Sequence, residues 1–175
     1  MEIWDVYDEY GNPTGETMTR DSAKVREKGI YHLGVDVWII NSDNNILIQR
    51  RSPKKRFRPN VWAMTGGSVQ HGETSLEALK REVQEELQVA LNVDEAQKIK
   101  RYKTDNIWLD VYFVRQDIDL STIILQEEEV SEVKYASYEE IKTLVQNNEF
   151  IDERWEFVDE ELAEFLEMEL LKDER

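Results

Sequence analysis

Apolar positions recur along this chain with two different periods, and each change of period marks an element. Between Glu2 and Asp8, Ile3, Trp4, Val6 and Tyr7 predict a short strand, closed by the turn signal Gly11-Asn12-Pro13. Thr14 to Arg20 fits as its hairpin partner, and Asp21 to Gly29 is polar, a loop or short helix. Tyr31 to Asn41 and Ile46 to Arg51 are runs rich in β-favouring residues, joined through Asn41-Ser42-Asp43-Asn44-Asn45 as a hairpin tip. The period then lengthens. Leu76, Leu79, Val83 and Leu87 fall at helix spacing, and Thr74 with Glu77 three residues on is a capping box that starts the helix. Ala96 to Lys103 and Ile107 to Arg115 return to strand, with Trp108, Val111, Tyr112 and Phe113 as bulk.

Ile118 to Leu125 is a further apolar stretch, Gln126 to Glu132 is acidic, and Val133 to Ser137 reads as a last strand. A second helix opens at Tyr138 and runs to about Gln146, with Ile141, Leu144 and Val145 inward. Trp155, Val158, Leu162, Phe165, Leu166 and Met168 to Leu170 stand among acids as an amphipathic helix from Asp152 to Lys172. Strands gathered around a few helices, without strict alternation, predict an α+β fold with a mixed sheet packed between helices. The length fits one domain over 1–175: a core of about 31–147, an N-terminal β segment 1–30 and a C-terminal helix of about 152–173.

Composition narrows the function classes. There are 38 Asp plus Glu against 22 Lys plus Arg, a formal net charge of −16. Such a surface is ill suited to a nucleic-acid polymer, whose affinity comes from neutralised phosphates. The chain has no cysteine, which excludes disulfide and thiolate chemistry. With no apolar run of membrane-spanning length and an acidic, aromatic N-terminus, the expectation is a cytoplasmic protein that engages no membrane.

Two charge clusters carry the candidate chemistry. Glu82, Glu85 and Glu86 fall at i, i+3 and i+4, which puts three carboxylates on one helix face. Ahead of them Gly66, Gly67 and Gly72 frame a tight loop able to bring backbone close to a ligand. Three like charges side by side are accounted for by a hard divalent cation, Mg²⁺ or Mn²⁺, which takes oxygen ligands. The second cluster inverts the local charge: Arg50, Arg51, Lys54, Lys55, Arg56 and Arg58 place six cations in nine positions. Arg50 and Arg51 are the candidates for phosphate contact, since the guanidinium fork matches phosphate oxygens. The bland alternatives are a solvated acidic helix and a charged loop guarding a strand.

Gly67, five residues, Glu73, seven residues, then Arg81-Glu82-Val83-Gln84-Glu85-Glu86-Leu87-Gln88-Val89 resembles the Nudix box, G-x5-E-x7-R-E-U-x-E-E-x-G-U. Gln88 alone departs, standing where the family has the glycine of a left-handed helix end. The resemblance implies a MutT-like hydrolase with the Nudix αβα sandwich. It further implies metal held by Glu82, Glu85, Glu86 and the Gly67 carbonyl, and a diphosphate bond of a small phosphorylated substrate split by metal-activated water. Within it Arg81 is expected to pair with Glu85 four residues on, and Glu73 to buttress the loop–helix junction.

Within that superfamily the run Tyr31-His32-Leu33, Trp38 to Asn41 and Leu47 to Ser52, with Lys54, Lys55, Pro59, Val61 and Trp62, is similar to type I isopentenyl-diphosphate isomerase. That chemistry needs a cysteine after the Val-Trp pair, several histidines and two glutamates. Here there is no cysteine, Ser68 stands near the second histidine, and Asn106 and Trp108 fall at the glutamates. His32 therefore reads as a packed strand residue, and His71 as solvent-facing. A non-catalytic nucleotide-sensing domain is the other alternative, and its hallmark, a broken box, is missing. Glu127, Glu128 and Glu129 read as loop acids, with an extra metal ligand as the resemblance's alternative. Trp4, Tyr31, Trp62 and Trp108 are core aromatics that could instead stack on a base. A homodimer through the N-terminal segment or the C-terminal helix is compatible with the sequence.

Overall fold

The structure is a computed structural model that describes the backbone of residues 1–173 and the side chains of residues 1–167. The chain falls into two compact units, Met1–Trp38 with Thr65–Val114, and Ile39–Met64 with the residues from Arg115 onward.

In the first unit β1 (Ile3–Tyr7) and β2 (Pro13–Thr19) form the expected hairpin, with Trp4 opposite Met18. Trp4, Val6 and Met18 make a small core of their own, backed by Val25 and Ile30. The main sheet starts at β3 (His32–Ile40), all nine residues of which are buried. A strand covered on both faces needs no alternation, which is why its sequence is apolar almost throughout. Antiparallel to it runs β6 (Thr65–Ser68), Gly67 opposite Val35 and Gly66 opposite Asp36. β7 (Ala96–Lys103) and β8 (Ile107–Arg115) pair antiparallel, in the order β3-β8-β7. His32 N–H bonds the Asn106 carbonyl, and Gln116 N–H bonds that of Ile40, so β3 and β8 ascend together and the sheet is mixed. α1 (Ser75–Leu87) packs Ala78, Leu79, Val83 and Leu87 inward, each shielded from solvent. The Thr74–Glu77 capping box is present at its start.

In the second unit the end of β3 pairs with β4 (Ile46–Arg51), and β5 (Trp62–Ala63) lies on β4. The Asn41 side chain closes the β3–β4 tip by accepting from the N–H groups of Asp43 and Asn45. β9 (Val130–Ala136) also pairs with β4 and starts three residues before the sequence pattern indicated. The reason is a cross-strand pair: Glu132 stands opposite Arg50 and their charges meet at 3.6 Å, so an acidic residue is at home in the ladder. α2 (Tyr138–Gln146) begins at a second capping box, Ser137 with Glu140.

The C-terminal segment is two helices, not one: α3 (Asp152–Trp155) and α4 (Asp159–Asp173). Trp155, Val158, Leu162 and Leu166 are all buried across the break. Their helix-like spacing hid the turn between them. Met168 to Leu170, read from sequence as apolar contacts, lie outside the described side chains. The α+β class and the mixed sheet with its helices are thus as expected.

Candidate active site

Gly66 and Gly67 are strand residues of β6, not members of a loop. The loop proper runs from Val69 to Thr74, with Gly72 at φ +85° and Glu73 N–H bonded to the Gln70 carbonyl. What the two glycines provide is space. A Cβ on Gly67 would sit 2.2 Å from the Glu82 carboxylate, and one on Gly66 would sit 2.3 Å from Asp36 Oδ1. Bare backbone at Gly67 lets the Glu82 carboxylate lie directly against the strand.

Arg81 organises the carboxylates. Its Nε and Nη2 donate to the two Glu73 oxygens at 2.7 and 3.0 Å, a bidentate pair. Nη1 reaches Glu82 at 2.8 Å and Glu85 at 3.3 Å, and Nη2 also donates to the Ser68 carbonyl at 3.0 Å. The expected Arg81–Glu85 pair is therefore present but is the longest of the set, and Glu73 is the principal partner. Helix spacing favoured Glu85; the folded loop brings Glu73 closer. Glu73 in turn accepts from Gln70 N–H at 3.0 Å, so it ties the loop to the helix.

The helix face is not a solvated one. Glu86 is 7% exposed, whereas the Glu85 side chain keeps about half its surface. Burial raises the Glu82 carboxyl above the usual range, Arg81 opposes this, and the charges of Glu85 and Glu2 add to it. The Arg81 bonds hold Glu73 below the usual range in spite of its burial, with the Gln70 N–H adding to the effect. Two carboxyls on one guanidinium are driven in opposite directions by their surroundings.

Among the described residues, no three His, Asp or Glu side chains converge on one point where an ion could sit. The side chain between Glu82 and Glu85 is the Arg81 guanidinium. The donor set nonetheless fits a hard cation. One guanidinium serves three carboxylates, and the most buried of those three lies against a glycine backbone that no other residue could supply.

Gln88, the one departure from the box, takes the left-handed conformation itself, φ 53° and ψ 34°, and its N–H bonds the Gln84 carbonyl. The helix end keeps its shape without glycine, at a backbone cost of about 1–2 kcal/mol.

The second charge cluster has a different character. Arg51 donates from Nε and Nη2 to the Phe57 carbonyl, and from Nε to that of Arg58, so its fork closes the loop after β4. Arg50 donates to the Asn60 carbonyl and faces Glu132. Lys54 pairs with Glu128, Lys55 with Glu129, and Arg58 with Asp152. The acids at 128 and 129 thus neutralise lysines of their own unit.

Trp4 stacks on His32 with ring centroids 4.1 Å apart, and Trp62 lies under the Lys134 ammonium. Tyr31 is buried, and Trp108 donates to the Asp8 carbonyl. Asn106, at one isomerase glutamate position, donates to the Val25 carbonyl. His71 is largely exposed, with its ring Nδ1 2.7 Å from Asp5 Oδ1. Sequence reasoning missed Glu2 and Asp5 as neighbours of the box. No local signal could have found Asp5, because 66 positions separate it from His71.

A model of the NUDIX domain matches residues 30–159. A Nudix hydrolase of Listeria monocytogenes, itself uncharacterized, is 36% identical over 152 residues, covering 86% of this chain and 89% of the relative. A crystal structure from Deinococcus radiodurans superposes with a TM-score of 0.73 at 26% identity, over 93% of this chain and 98% of that one. The fold is also shared with a bifunctional NMN adenylyltransferase/ADP-ribose pyrophosphatase from Francisella tularensis, solved with AMP and a manganese ion. There the TM-score is 0.62 at 21% identity, over 77% of this chain and 42% of that one. Over a matched stretch that contains the whole glycine–glutamate–arginine constellation, this chain belongs to the Nudix family of hydrolases, enzymes that act on phosphoric anhydrides.

Proposed function

We propose that this chain is a pyrophosphohydrolase, dependent on Mg²⁺ or Mn²⁺, that splits the diphosphate linkage of a nucleoside diphosphate joined to a second group, or of a related small molecule. The observation that carries the reading is the Arg81 assembly: one guanidinium shared by Glu73, Glu82 and Glu85, with Glu82 laid on the bare Gly67 backbone.

Glu82, Glu85 and Glu86 would hold the cation together with the Gly67 carbonyl. When bound, the cation offsets diphosphate charge and lowers the pKa of a coordinated water. Arg81 fixes the Glu82 and Glu85 side chains, and Glu73 fixes Arg81 and the loop. In the reaction a water oxygen forms a bond to phosphorus, the bridging P–O bond breaks, and a box carboxylate accepts the water's proton. The isomerase alternative lacks its thiol, since the chain holds no cysteine. Purified protein with Mg²⁺, assayed for product release against a panel of nucleotide sugars, dinucleoside polyphosphates, nucleoside triphosphates and isoprenoid diphosphates, tests the reading. Cation-dependent release from at least one class is expected, and none from any class would sink it.

A further inference from the structure

A diphosphate must meet a cation whose donors are not already engaged. Arg81 is excluded, because its donors go to Glu73, Glu82, Glu85 and the Ser68 carbonyl. Within the same unit the β1–β2 hairpin brings another arginine toward the box. The hairpin precedes the family-matched residues and is anchored on the box loop: His71 N–H donates to the Ile3 carbonyl at 2.7 Å, and the His71 ring meets Asp5. The Trp4 stack on His32 fixes it further.

These contacts place the open end of the hairpin, where Arg20 and Glu2 face each other. Arg20 N–H bonds the Glu2 carbonyl at 3.2 Å, and Arg20 Nη1 bonds Glu2 Oε1 at 3.1 Å. Glu2 precedes the anchored Ile3 by one residue, and its charge is a minor influence on the Glu82 carboxyl, behind burial, Arg81 and Glu85. Among the described residues Glu2 is the only side-chain partner of Arg20, whose own side chain is 58% exposed. One edge of a planar five-donor fork is thus engaged by Glu2, and much of the rest is exposed.

Resting on the pyrophosphohydrolase reading, we propose that Arg20 contacts the phosphate of the diphosphate substrate, so that the N-terminal hairpin supplies a cation to the acidic box helix. Glu2 orients Arg20 and competes for it when no phosphate is present. The exposed Arg20–Glu2 pair is weak, so exchanging that carboxylate for a phosphate costs little.

Calorimetric binding of methylenediphosphonate, a non-hydrolysable mimic of the shared diphosphate, in Mg²⁺ tests this. R20A should weaken binding by about tenfold or more, the scale of one charge-assisted hydrogen bond. R20K should fall between R20A and wild type, since it keeps the charge and loses the fork. E2Q should bind at least as tightly as wild type. Because residue 20 is on the surface, unchanged thermal midpoints are expected throughout. R20A binding within about twofold of wild type overturns the inference. An E2Q variant that reproduces the R20A loss also overturns it, because Arg20 would then act only by holding Glu2. Loss in R50A with none in R20A moves the contact to the other unit and overturns it as well. A wild type that turns over none of the diphosphate panel sinks the hydrolase reading and this inference together. Turnover with an indifferent R20A sinks this inference alone.

Discussion

Both units contain a knot of charge built on an arginine, and the two knots differ in their balance. In the first, Arg81 alone serves Glu73, Glu82 and Glu85, with buried Glu86 on the same helix. In the second, the cations have matched partners: Lys54 with Glu128, Lys55 with Glu129, Arg58 with Asp152 and Glu153. Arg51 spends its donors on two loop carbonyls. A balanced knot is complete as it stands and serves to shape a loop. The unbalanced one sets three carboxylates on a single guanidinium, an imbalance that the proposed cation would offset. Local charge density was equally conspicuous in both sequences; stoichiometry and burial separate them.

The largest effect is expected on the acidic face of the box helix. Glu85→Gln and Glu86→Gln should each lower cation-dependent turnover by about two orders of magnitude or more. A purified, folded variant with near-normal product release would mean that the carboxylate it removed has no catalytic role.

Next in size is Arg81→Ala, which strands buried Glu82 without its partner and should cost about 3 kcal/mol or more of stability by urea unfolding. A loss below about 1 kcal/mol would place Arg81 among ordinary surface pairs.

Acid should act through the same knot. Glu73 is held below the usual carboxylate range in the folded state, first by the Arg81 bonds. Its contribution is therefore fully present above the ordinary carboxyl pKa and is lost as pH falls through the lower folded value. The stability gap between wild type and Glu73→Gln should shrink steadily as unfolding is repeated below about pH 4.5. A gap that widens there would reverse the assigned sign.

Smaller effects belong to the balanced knot and the helix end. Arg51→Ala should cost about 1 kcal/mol, since the carbonyls it releases can bond water. Turnover should stay intact if its role is confined to the loop. Gln88→Gly should raise stability by about 1 kcal/mol, because it removes the left-handed strain at a glycine-type position. A destabilised Gln88→Gly would mean that the Gln88 side chain makes up the difference.

Much of this was legible in the residues because it depends on near neighbours. The capping box at Thr74 and Glu77, the α1 stripe and the Asn41 tip all close within a few positions, where periodicity and hydrogen-bonding chemistry suffice. The break at Glu156 to Val158 was hidden, because the buried positions on either side keep helical spacing through the turn. The early start of β9 was hidden too, because Glu132 is acceptable in the strand only with Arg50 across from it.

The family, the carboxylate face and the identity of the arginine beside it could all be read from the residues alone. These follow from residue types at fixed spacing on one helix. The folding of the box loop onto the helix made Glu73, not Glu85, the principal partner of Arg81. Tertiary packing also made Gly67 a strand residue cleared for a carboxylate, closed a loop with Arg51, and seated Ile3 and Asp5 of the N-terminal hairpin on the box loop. Each of these joins residues beyond helix spacing, from Arg51 and Phe57 six positions apart to Ile3 and His71 far apart in the chain, and a guanidinium or carboxylate commits to whichever partner the packed backbone brings within about 3 Å.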